Sequence, residues 1–281
     1  MNRRVLWLTA AAALLAVWFW WENRTLTVSE YAVASESVPA GFHGFRIAQI
    51  SDLHNAEFGW RNERLLKKLA QTKPDIIVMT GDLVDSRRTN VSVAVDFVKH
   101  AAEIAPCYFV TGNHESRLEE LPELLSALKE AGVTVLRDEK RILTRGEDTL
   151  TLMGLDDPAF RSDYLVGDSA PVLTAALEKL AEPEMGYTIA LSHRPEMMGV
   201  YRQFGLNLVF CGHAHGGQIR LPGIGGIIAP NQGFFPKYDA GVFAEGETTM
   251  VVSRGIGGSI IPLRVHNRPE IVVAELNRQE E

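Results

Sequence analysis

Cysteine is scarce in this chain, with two in 281 residues. Cys107 and Cys211 are too few for a disulfide framework, and each adjoins an apolar, strand-like run, so we predict two buried free thiols. A single bridge between them stays open if the domain lies in an oxidising compartment. Basic residues are also in the minority, 28 against 35 acidic ones. This balance disfavours a general nucleic-acid binder, because neutralising phosphates requires a basic surface.

Internal repeats and low-complexity segments are absent from the sequence as well. Their absence disfavours a solenoid or an extended disordered protein. The length predicts one large globular domain after the first two dozen residues, which is enough chain to bury a substantial core.

Charge is absent from Val5 to Trp21, and this run follows Arg3 and Arg4. As a helix it would span roughly 25 Å, slightly less than the ~30 Å hydrocarbon core of a bilayer. An aromatic cluster, WFWW, ends the run at 18–21, as an interfacial belt would. We predict that residues 1–24 are an uncleaved membrane anchor, with the N-terminus in the cytoplasm and the domain outside.

Two alternatives to the anchor remain open from the sequence. One is a cleaved signal peptide, since AVA at 32–34 resembles a cleavage site, although it lies more than ten residues past the apolar run. The other is a hydrophobic core helix, which an all-round apolar run next to two arginines makes less favourable.

Residues 25–44 form a polar-to-mixed connector that we expect to contain a short strand and a turn. From 45 to 281, strand-like and helix-like runs alternate. We predict strands at 45–50, 75–80, 107–111, 133–136, 187–192, 207–210, 248–253 and 270–276, and helices at 62–72, 91–105, 121–132 and 170–181. Such alternation predicts an α/β domain with a largely parallel sheet flanked by helices. The strand-rich last third predicts a second sheet or antiparallel additions.

Five of the predicted strands are followed directly by residues of the types that bind metals. The residues are Asp52 and His54 in QISDLHN, Asp82 in MTGDLVD, Asn113 and His114 in VTGNHES, His193 in ALSHRPE, and His213 and His215 in VFCGHAHGGQ. Ligands of open α/β sheets bind beyond the carboxyl ends of the strands. In Asp-x-His and His-x-His, extended backbone would point both side chains the same way. A glycine precedes Asp82, Asn113 and His213, which we expect to allow a sharp turn.

Carboxylate, amide and imidazole ligands without thiolate suit Mn²⁺, Fe or Zn²⁺. About seven ligands are enough for two ions that share one carboxylate, and two metals ~3.5–4 Å apart suit an in-line phosphoryl displacement. Each motif alone is weak to moderate, but five of the eight histidines fall inside these blocks, in order, at strand ends. The remaining three, His43, His100 and His266, are predicted to be ordinary polar or half-buried residues.

The five blocks resemble the calcineurin-like metallophosphoesterase family, from Phe45 to about Arg220. The tail, with PNQGFFPKYDAG and VSRGIGGSIIPLRVHNRPEI, resembles its bacterial branch of phosphodiesterases with one N-terminal membrane span. This resemblance implies a four-layer α/β/β/α sandwich of two mixed sheets flanked by helices, over residues 45–281.

The resemblance also implies the roles of the site residues. The first metal would be held by Asp52, His54, Asp82 and His215, and the second by Asp82, Asn113, His193 and His213. Asp82 would bridge two divalent ions, with Mn²⁺ favoured, and a bridging hydroxide would attack phosphorus. His114 would donate to a phosphate oxygen and protonate the leaving group. Arg194 is a candidate substrate contact, and a surface salt bridge is its alternative.

The run LPGIGGIIAPNQGFFPKY at 221–238 directly follows the last block. We favour a hairpin that packs its isoleucines and phenylalanines into the core, with a membrane-touching rim as the alternative.

The sequence therefore predicts a membrane-anchored dinuclear phosphoesterase, most simply a phosphodiesterase, on the outer side of a bacterial cytoplasmic membrane. Lipid-linked or cell-wall-linked phosphate esters are the expected substrates, and no nucleic-acid binding is expected. A nucleotide-sugar-lipid pyrophosphatase of lipid A synthesis is the enzymatic alternative. A catalytically silent scaffold is the alternative from another class.

Overall fold

The computed structural model describes residues 3–161, 169–182, 185–258 and 263–279. The helices in these ranges are α1 (Arg3–Arg24), α2 (Glu63–Gln71), α3 (Val91–Ala102), α4 (Leu121–Glu130), α5 (Ser169–Leu180) and α6 (Met198–Gln203). The strands are β1 (Thr27–Ser35), β2 (Phe45–Ile50), β3 (Ile76–Thr80), β4 (Cys107–Val110), β5 (Thr134–Val135), β6 (Glu139–Arg145), β7 (Asp148–Gly154), β8 (Thr188–Leu191), β9 (Leu208–Cys211), β10 (Arg220–Leu221), β11 (Gly225–Gly226), β12 (Ile228–Ala229), β13 (Gly233–Phe234), β14 (Gly241–Glu245), β15 (Thr248–Val252) and β16 (Glu270–Arg278).

Two six-stranded mixed sheets form the body of the domain. The first has the order β1-β16-β2-β3-β4-β5, and the second β14-β15-β9-β8-β7-β6. Strands β2 to β5 are parallel, as are β7, β8, β9 and β15, while β16, β14 and β6 supply the antiparallel pairs. The predicted parallel strands and the predicted second sheet with antiparallel additions are both confirmed.

Three hydrophobic cores separate the layers. In β3, Ile76 and Val78 pack between the two sheets, whereas Ile77 and Met79 pack against the layer of α2, α3 and α4. A third core joins the second sheet to α5 and α6. Both faces of the parallel strands are therefore buried, which explains their continuous apolar sequences. The four-layer α/β/β/α sandwich is confirmed.

The helices begin and end close to where the sequence predicts. In α2, Leu65 and Leu69 lie four residues apart and are both buried, while Glu63 in the first turn and Lys68 in the last turn suit the helix dipole. The six-residue helix α6 was not predicted, because so short a helix carries too little periodicity to be recognised.

The connector is an integral part of the first sheet. Strand β1 pairs in parallel with β16 along its whole length, from Thr27 opposite Glu270 to Ser35 opposite Arg278. The first sheet therefore begins at Thr27, ahead of the start predicted at Phe45. Local sequence could not reveal this, because the partner strand lies at the other end of the chain.

Helix α1 has 22 residues, about 33 Å at 1.5 Å per residue, and is long and apolar enough to cross a membrane. Only 6 % of its most apolar window is buried. The alternative of a core helix is therefore wrong.

The last turn of α1 is bound tightly to the domain. The buried side chain of Glu22 accepts hydrogen bonds from the backbone N–H of Asn267 (3.0 Å) and from Nε of Arg268 (3.3 Å). Asn23 donates to the carbonyl oxygen of Arg264 (3.1 Å) and accepts its N–H (2.8 Å). The helix thus leaves the domain from a fixed position.

Both cysteines are buried free thiols, as predicted. Burial raises the pKa of Cys107 to about 12, and raises the pKa of Cys211 well above its usual value. Both thiols are therefore protonated and poorly nucleophilic at neutral pH.

Candidate metal centre

The predicted ligands follow the carboxyl ends of β2, β3 and β4 in the first sheet and of β8 and β9 in the second. Their donor atoms form groups within 4.8 Å of one another, although the residues are spread over more than half of the chain. The groups are Asp52, His54 and His215; His54, Asp82 and His114; and Asp82, His193 and His213. Because the two sheets pack face to face, their strand ends meet at one edge.

The first group surrounds Asp52. Its Oδ1 lies 3.3 Å from Nε2 of His215 and 3.8 Å from Nε2 of His54. The two imidazole nitrogens are 3.2 Å apart. Three donor atoms therefore converge from three directions on one small volume.

The second group surrounds Asp82. Its Oδ2 lies 3.2 Å from Nε2 of His193, which in turn is 3.2 Å from Nδ1 of His213. The same oxygen is 3.6 Å from Nε2 of His54 in the first group. One carboxylate oxygen thus faces both groups, which is the geometry that a bridging ligand needs.

The side chain of Asn113 provides an independent indication of a cation. Its Oδ1 is buried and has no hydrogen-bond partner among the residues that the structure describes. An unpaired buried carbonyl oxygen is costly unless a cation or a donor satisfies it. A set of carboxylate, amide and imidazole donors with one unsatisfied oxygen fits divalent ions.

Hydrogen bonds orient two of the imidazoles. His193 donates its Nδ1–H to the carbonyl oxygen of Thr80 at 2.7 Å, which directs Nε2 towards Asp82. Nε2 of His213 lies 2.9 Å from Oδ1 of Asn231 and 3.0 Å from Nη1 of Arg194, on the outer side of the ring, which leaves Nδ1 facing the cluster. Such outer hydrogen bonds fix the tautomer of metal-binding histidines.

The electrostatics of the cluster favour a positive charge at its centre. Burial, together with the neighbouring Asp82, raises the pKa of Asp52 to about 6. Burial opposes a charge on His193 too, but the Asp82 carboxylate outweighs it and raises the pKa of His193 to about 10. Burial holds the pKa values of His213 and His215 well below normal, so both stay neutral, as metal ligands must be.

The backbone of the ligand loops is left-handed rather than extended. Positive φ angles occur at five predicted ligands: Asp52 (51°), His54 (45°), Asp82 (55°), His213 (65°) and His215 (48°). The prediction that extended backbone aligns Asp-x-His and His-x-His is therefore wrong, because the chain curls back over the sheet edge. Each such residue costs on the order of 1–3 kcal/mol, and strain of this kind concentrates at functional sites.

The glycines before the ligands have two different purposes. Gly81 has φ of 88° and makes the sharp turn that was predicted. Gly112 is needed for space instead, since a Cβ there would lie 2.3 Å from Oδ1 of Asp82. At Gly212 a Cβ would lie 2.0 Å from Oγ of Ser51. This position therefore needs glycine because a side chain would clash there, and not because the backbone turns.

Glu115 joins two of the ligand loops, and sequence reasoning overlooked it, although it ends the Gly-Asn-His-Glu block. Its fully buried carboxylate accepts the backbone N–H groups of Asp82 (2.8 Å), Gly112 (2.7 Å) and Val84 (3.3 Å). Burial and the nearby Asp82 carboxylate raise the pKa of Glu115, while the N–H donors of Gly112 and Asp82 oppose this shift by favouring the charged form. These bonds hold the Asp82 loop against the Asn113 loop.

Replacing Glu115 with glutamine is expected to lower the free energy of unfolding by about 1–3 kcal/mol. The amide NH₂ would face a backbone donor, so at least one buried N–H would lose its acceptor. Denaturant unfolding of the purified protein measures the change. Glu119→Gln, at a nearby exposed position, is the matched control. Equal stability of both variants would contradict this role for Glu115.

His114 lies beside the cluster, with its ring 4.6 Å from that of His54. The backbone N–H of Ser86 donates to its Nδ1 at 3.0 Å, so the neutral ring carries its proton on Nε2. Oγ of Ser86 and Oδ1 of Asp85 lie 3.0 and 3.5 Å from the same Nδ1. They would accept its hydrogen bond when the ring takes up a second proton. Asp85 is therefore close to the predicted acid.

Arg194 lies at the edge of the cluster and is buried, so the salt bridge given as its alternative is present, with Asp157, but not at the surface. Its guanidinium makes a two-pronged pair with Asp157 (2.6 and 2.8 Å) and donates from Nη1 to Asn231 (2.9 Å). Arg194 thus holds Asn231, which in turn orients His213. Its predicted contact with substrate remains a prediction. No motif in the sequence pointed to Asp157 or Asn231.

The segment 221–238 does not pack its large side chains into the core. Phe234, Phe235 and Ile224 are 73, 64 and 65 % exposed, while Ala229 and Tyr238 are buried. The favoured expectation of a core-packed hairpin is therefore wrong for these phenylalanines and for Ile224. Two short hairpins, β10–β11 and β12–β13, hold the segment over the ligand loop and leave those side chains outside.

Two stacked mixed sheets with carboxylates and imidazoles gathered at their strand ends define a metal-dependent phosphoester hydrolase. The chain belongs to the calcineurin-like phosphoesterase family, whose model matches residues 45–217. The family resemblance and the hydrolase class predicted from the sequence are confirmed, and both disfavour a silent scaffold.

The similarity to individual proteins covers more of the chain than the family model does. The uncharacterized metallophosphoesterase YkuE of Bacillus subtilis is 29% identical over 260 residues, 91% of this chain and 87% of that protein. The phosphodiesterase YaeI of Escherichia coli is 31% identical over 240 residues, 83% and 82% of the two chains. A zebrafish transmembrane protein with a metallophosphoesterase domain is 28% identical over 87% of this chain and 56% of its own length.

Among solved structures, TT1561 of Thermus thermophilus has a TM-score of 0.51 at 15% identity. The match covers 75% of this chain and 89% of that one. At this identity the likeness supports the fold alone.

Proposed function

We propose that the chain is a membrane-anchored phosphodiesterase with two divalent cations. Asp52, His54 and His215 would hold one cation, Asn113, His193 and His213 the other, and Asp82 both. The single observation that carries this proposal is the position of Asp82 Oδ2, 3.6 Å from His54 and 3.2 Å from His193, between the two ligand groups.

The bound cations would supply Lewis-acid chemistry, polarising phosphate oxygens and lowering the pKa of water. The chain itself would position the reacting groups. Asp82 Oδ1 accepts the backbone N–H of His114 at 2.8 Å, which fixes His114 relative to the ligands. The doubly protonated ring of His114 would donate Nε2–H to a phosphate oxygen and pass this proton to the leaving oxygen, while its Nδ1–H faces Oγ of Ser86 and Oδ1 of Asp85.

The diester preference is supported by the phosphodiesterase name of one relative. The mixed donor set suits Mn²⁺, Fe or Zn²⁺, and the preference for Mn²⁺ rests on the family resemblance alone. Full-length protein in detergent should bind two metal ions per chain and hydrolyse a chromogenic phosphodiester faster than the matching monoester. Metal analysis and turnover with Mn²⁺, Zn²⁺ or Fe²⁺ test this. The proposal would be contradicted if the protein bound no metal ion and cleaved neither ester after incubation with these ions.

Replacing His114 with alanine is expected to lower diester turnover by roughly 10²–10⁴-fold, as the loss of a general acid does. Its ring is assigned to the substrate and not to a cation, so the metal content should stay near that of the parent. Turnover and elemental analysis of the same preparation test both parts. His43→Ala, at an exposed position, is the control. Loss of a metal ion on removal of His114 would instead make it a ligand.

We further propose that α1 is an uncleaved, single-pass anchor in a bacterial cytoplasmic membrane. The AVA sequence at 32–34 lies inside β1, where Val33 is buried, so cleavage there would cut a strand of the first sheet. Arg3 and Arg4 precede the span and favour a cytoplasmic N-terminus, with the site outside. Reporter fusions after Glu281 should be active only outside the cytoplasm, and cytoplasmic activity would reverse the orientation.

A further inference from the structure

Five large apolar side chains project into solvent from the segment that follows the His213–His215 loop. They are Leu221, Ile224, Ile228, Phe234 and Phe235, which we call the apolar rim. Single exposed apolar residues are ordinary on protein surfaces. Five within one short segment form a patch of the kind that marks a contact with a partner or a membrane.

The apolar rim is fixed to the metal cluster. The N–H of Ile227 is shared between the carbonyl oxygens of Gly217 (3.1 Å) and Ile219 (2.9 Å), which pins the segment to the ligand loop. The β12–β13 hairpin then carries Asn231 in its turn, where its Oδ1 lies 2.9 Å from Nε2 of His213. Phe234 is three residues beyond Asn231, so the rim borders the site itself.

The apolar rim is also joined to the segment 264–268. The N–H of Arg220, at the start of the rim segment, donates to the carbonyl oxygen of Val265 at 2.9 Å. His266 lines one surface depression together with Leu221 and Ile224. The rim and segment 264–268 are therefore direct neighbours.

The same segment receives the end of α1. The ring of Trp18 lies 5.4 Å from that of His266, and Asn23 pairs with the backbone of Arg264. His266 thus touches α1 on one side and borders the apolar rim on the other. This places the rim beside the point where α1 leaves the domain.

A bilayer around α1 would reach the level of the apolar rim. The helix is about 33 Å long, and its apolar side chains are exposed along its length. Because the hydrocarbon core of a bilayer is ~30 Å thick, it must extend over almost the whole helix, from one end to the other. Trp18 and Trp21 then stand at the interface, where tryptophan is favoured. Trp18 contacts His266, so the rim next to His266 lies at the same depth.

A further exposed tryptophan lies on another side of α1. Trp60 is 76 % exposed in the loop that follows His54. Four residues later, Nη2 of Arg64 donates to the carbonyl oxygen of Arg24 at 3.3 Å, so this loop also adjoins the end of α1. Exposed apolar groups from the apolar rim and from the loop after His54 therefore adjoin the exit of the helix.

We propose that the apolar rim and Trp60 form a second membrane contact, inserted in the interface of the bilayer that α1 crosses. The metal site then opens along the membrane surface, and its substrate is a phosphate ester whose apolar part stays in the bilayer. The statement about substrate rests on the proposed function, whereas the membrane contact stands on the geometry of the rim and α1.

The membrane contact is tested with full-length protein in lipid nanodiscs. Phe234→Cys carries an environment-sensitive fluorophore, and Cys107 and Cys211 are too buried to react. The matched control is Ile142→Cys, also exposed, on the edge strand β6 at the opposite side of the second sheet from β14. The emission of the label at 234 should lie further to the blue than that of the label at 142, because the bilayer is less polar than water. Spin-labelled lipids should quench the label at 234 and not the label at 142. Equal responses at the two positions would overturn the contact.

The substrate class is tested by comparing two diesters in the same nanodiscs, one soluble and chromogenic, the other a fluorescent phospholipid. The double variant Phe234→Ser with Phe235→Ser should lower the ratio of phospholipid to soluble turnover by roughly tenfold or more, the effect expected from losing two buried aromatic rings. Leucine at both positions should restore the ratio, and Ile142→Ser should not change it.

The two tests separate the possible failures. A parent protein that cleaves neither diester would contradict the proposed function, while the quenching experiment still decides the membrane contact. Two results would overturn the proposal of a bilayer substrate. One is a parent protein that cleaves the soluble diester but not the phospholipid, and the other is a ratio of phospholipid to soluble turnover that the serine variants do not change.

Discussion

Alanine in place of Asp82 is expected to abolish phosphodiester hydrolysis, with a loss of more than about 10³-fold. A carboxylate shared by two cations supports several kcal/mol of charge stabilisation in the transition state, and about 1.4 kcal/mol corresponds to tenfold in rate. The change also removes the acceptor of the His114 backbone N–H, which would loosen the predicted acid. Turnover of a chromogenic diester and metal content by elemental analysis measure both effects.

Asp82→Asn separates these contributions. The amide oxygen can still accept from His114, but the charge needed to bridge two cations is gone, so activity should remain lost. Asp96→Ala, which removes only a surface partner of Arg61, should leave turnover unchanged. If the Asp82→Ala protein kept two metals per chain and parental turnover, the bridging role would be wrong.

Removal of residues 1–39 is expected to prevent folding. A chain that begins at Ala40 lacks β1, whose nine residues pair with β16 along their full length. The loss exposes a long apolar edge of β16 and removes the buried Leu26 and Val33. At ~1.5–3 kcal/mol for each large apolar side chain, plus the edge pairing, this approaches the 5–15 kcal/mol stability of a whole domain.

A chain that begins at Glu22 is the matched comparison. It keeps β1 and the contacts of Glu22 and Asn23 with segment 264–268, so it should unfold cooperatively on heating. A chain that begins at Leu26 keeps β1 but lacks Glu22, so the buried N–H of Asn267 loses its acceptor. This chain should melt at a lower temperature than the chain that begins at Glu22. Circular dichroism melting ranks the three chains. Equal melting of the chain from Ala40 would show that β1 is dispensable.

Much of the fold could be read from local pattern. Helices α2 to α5 begin and end within three residues of the predicted limits, because each has an apolar stripe of helical period bounded by clear signals. The alternation of strand-like and helix-like runs predicted a largely parallel sheet flanked by helices in the same local way. The pairing of β1 with β16 was out of reach, because local sequence does not encode which distant strand is the neighbour.

The candidate site divides in a similar way. Asp52 and His213 could be nominated from the sequence because metal-binding side chains that repeatedly follow apolar strands rarely occur by chance. Their left-handed backbones could not, because nothing in Asp-x-His or His-x-His distinguishes an extended segment from a curled one. Asn231 was equally hidden, since its importance lies in one hydrogen bond to His213 that crosses between loops.

The sequence by itself determined the chemistry of this protein: which donor atoms exist, that they follow buried strands, and that an apolar helix precedes them. Tertiary structure alone decided that Asp82 lies between two ligand groups, that Glu115 ties their loops together, and that Phe234 stays outside the core. The physical reason is range. Composition and periodicity report on a few neighbouring residues, whereas convergence and exposure depend on contacts between segments that meet only when the two sheets pack.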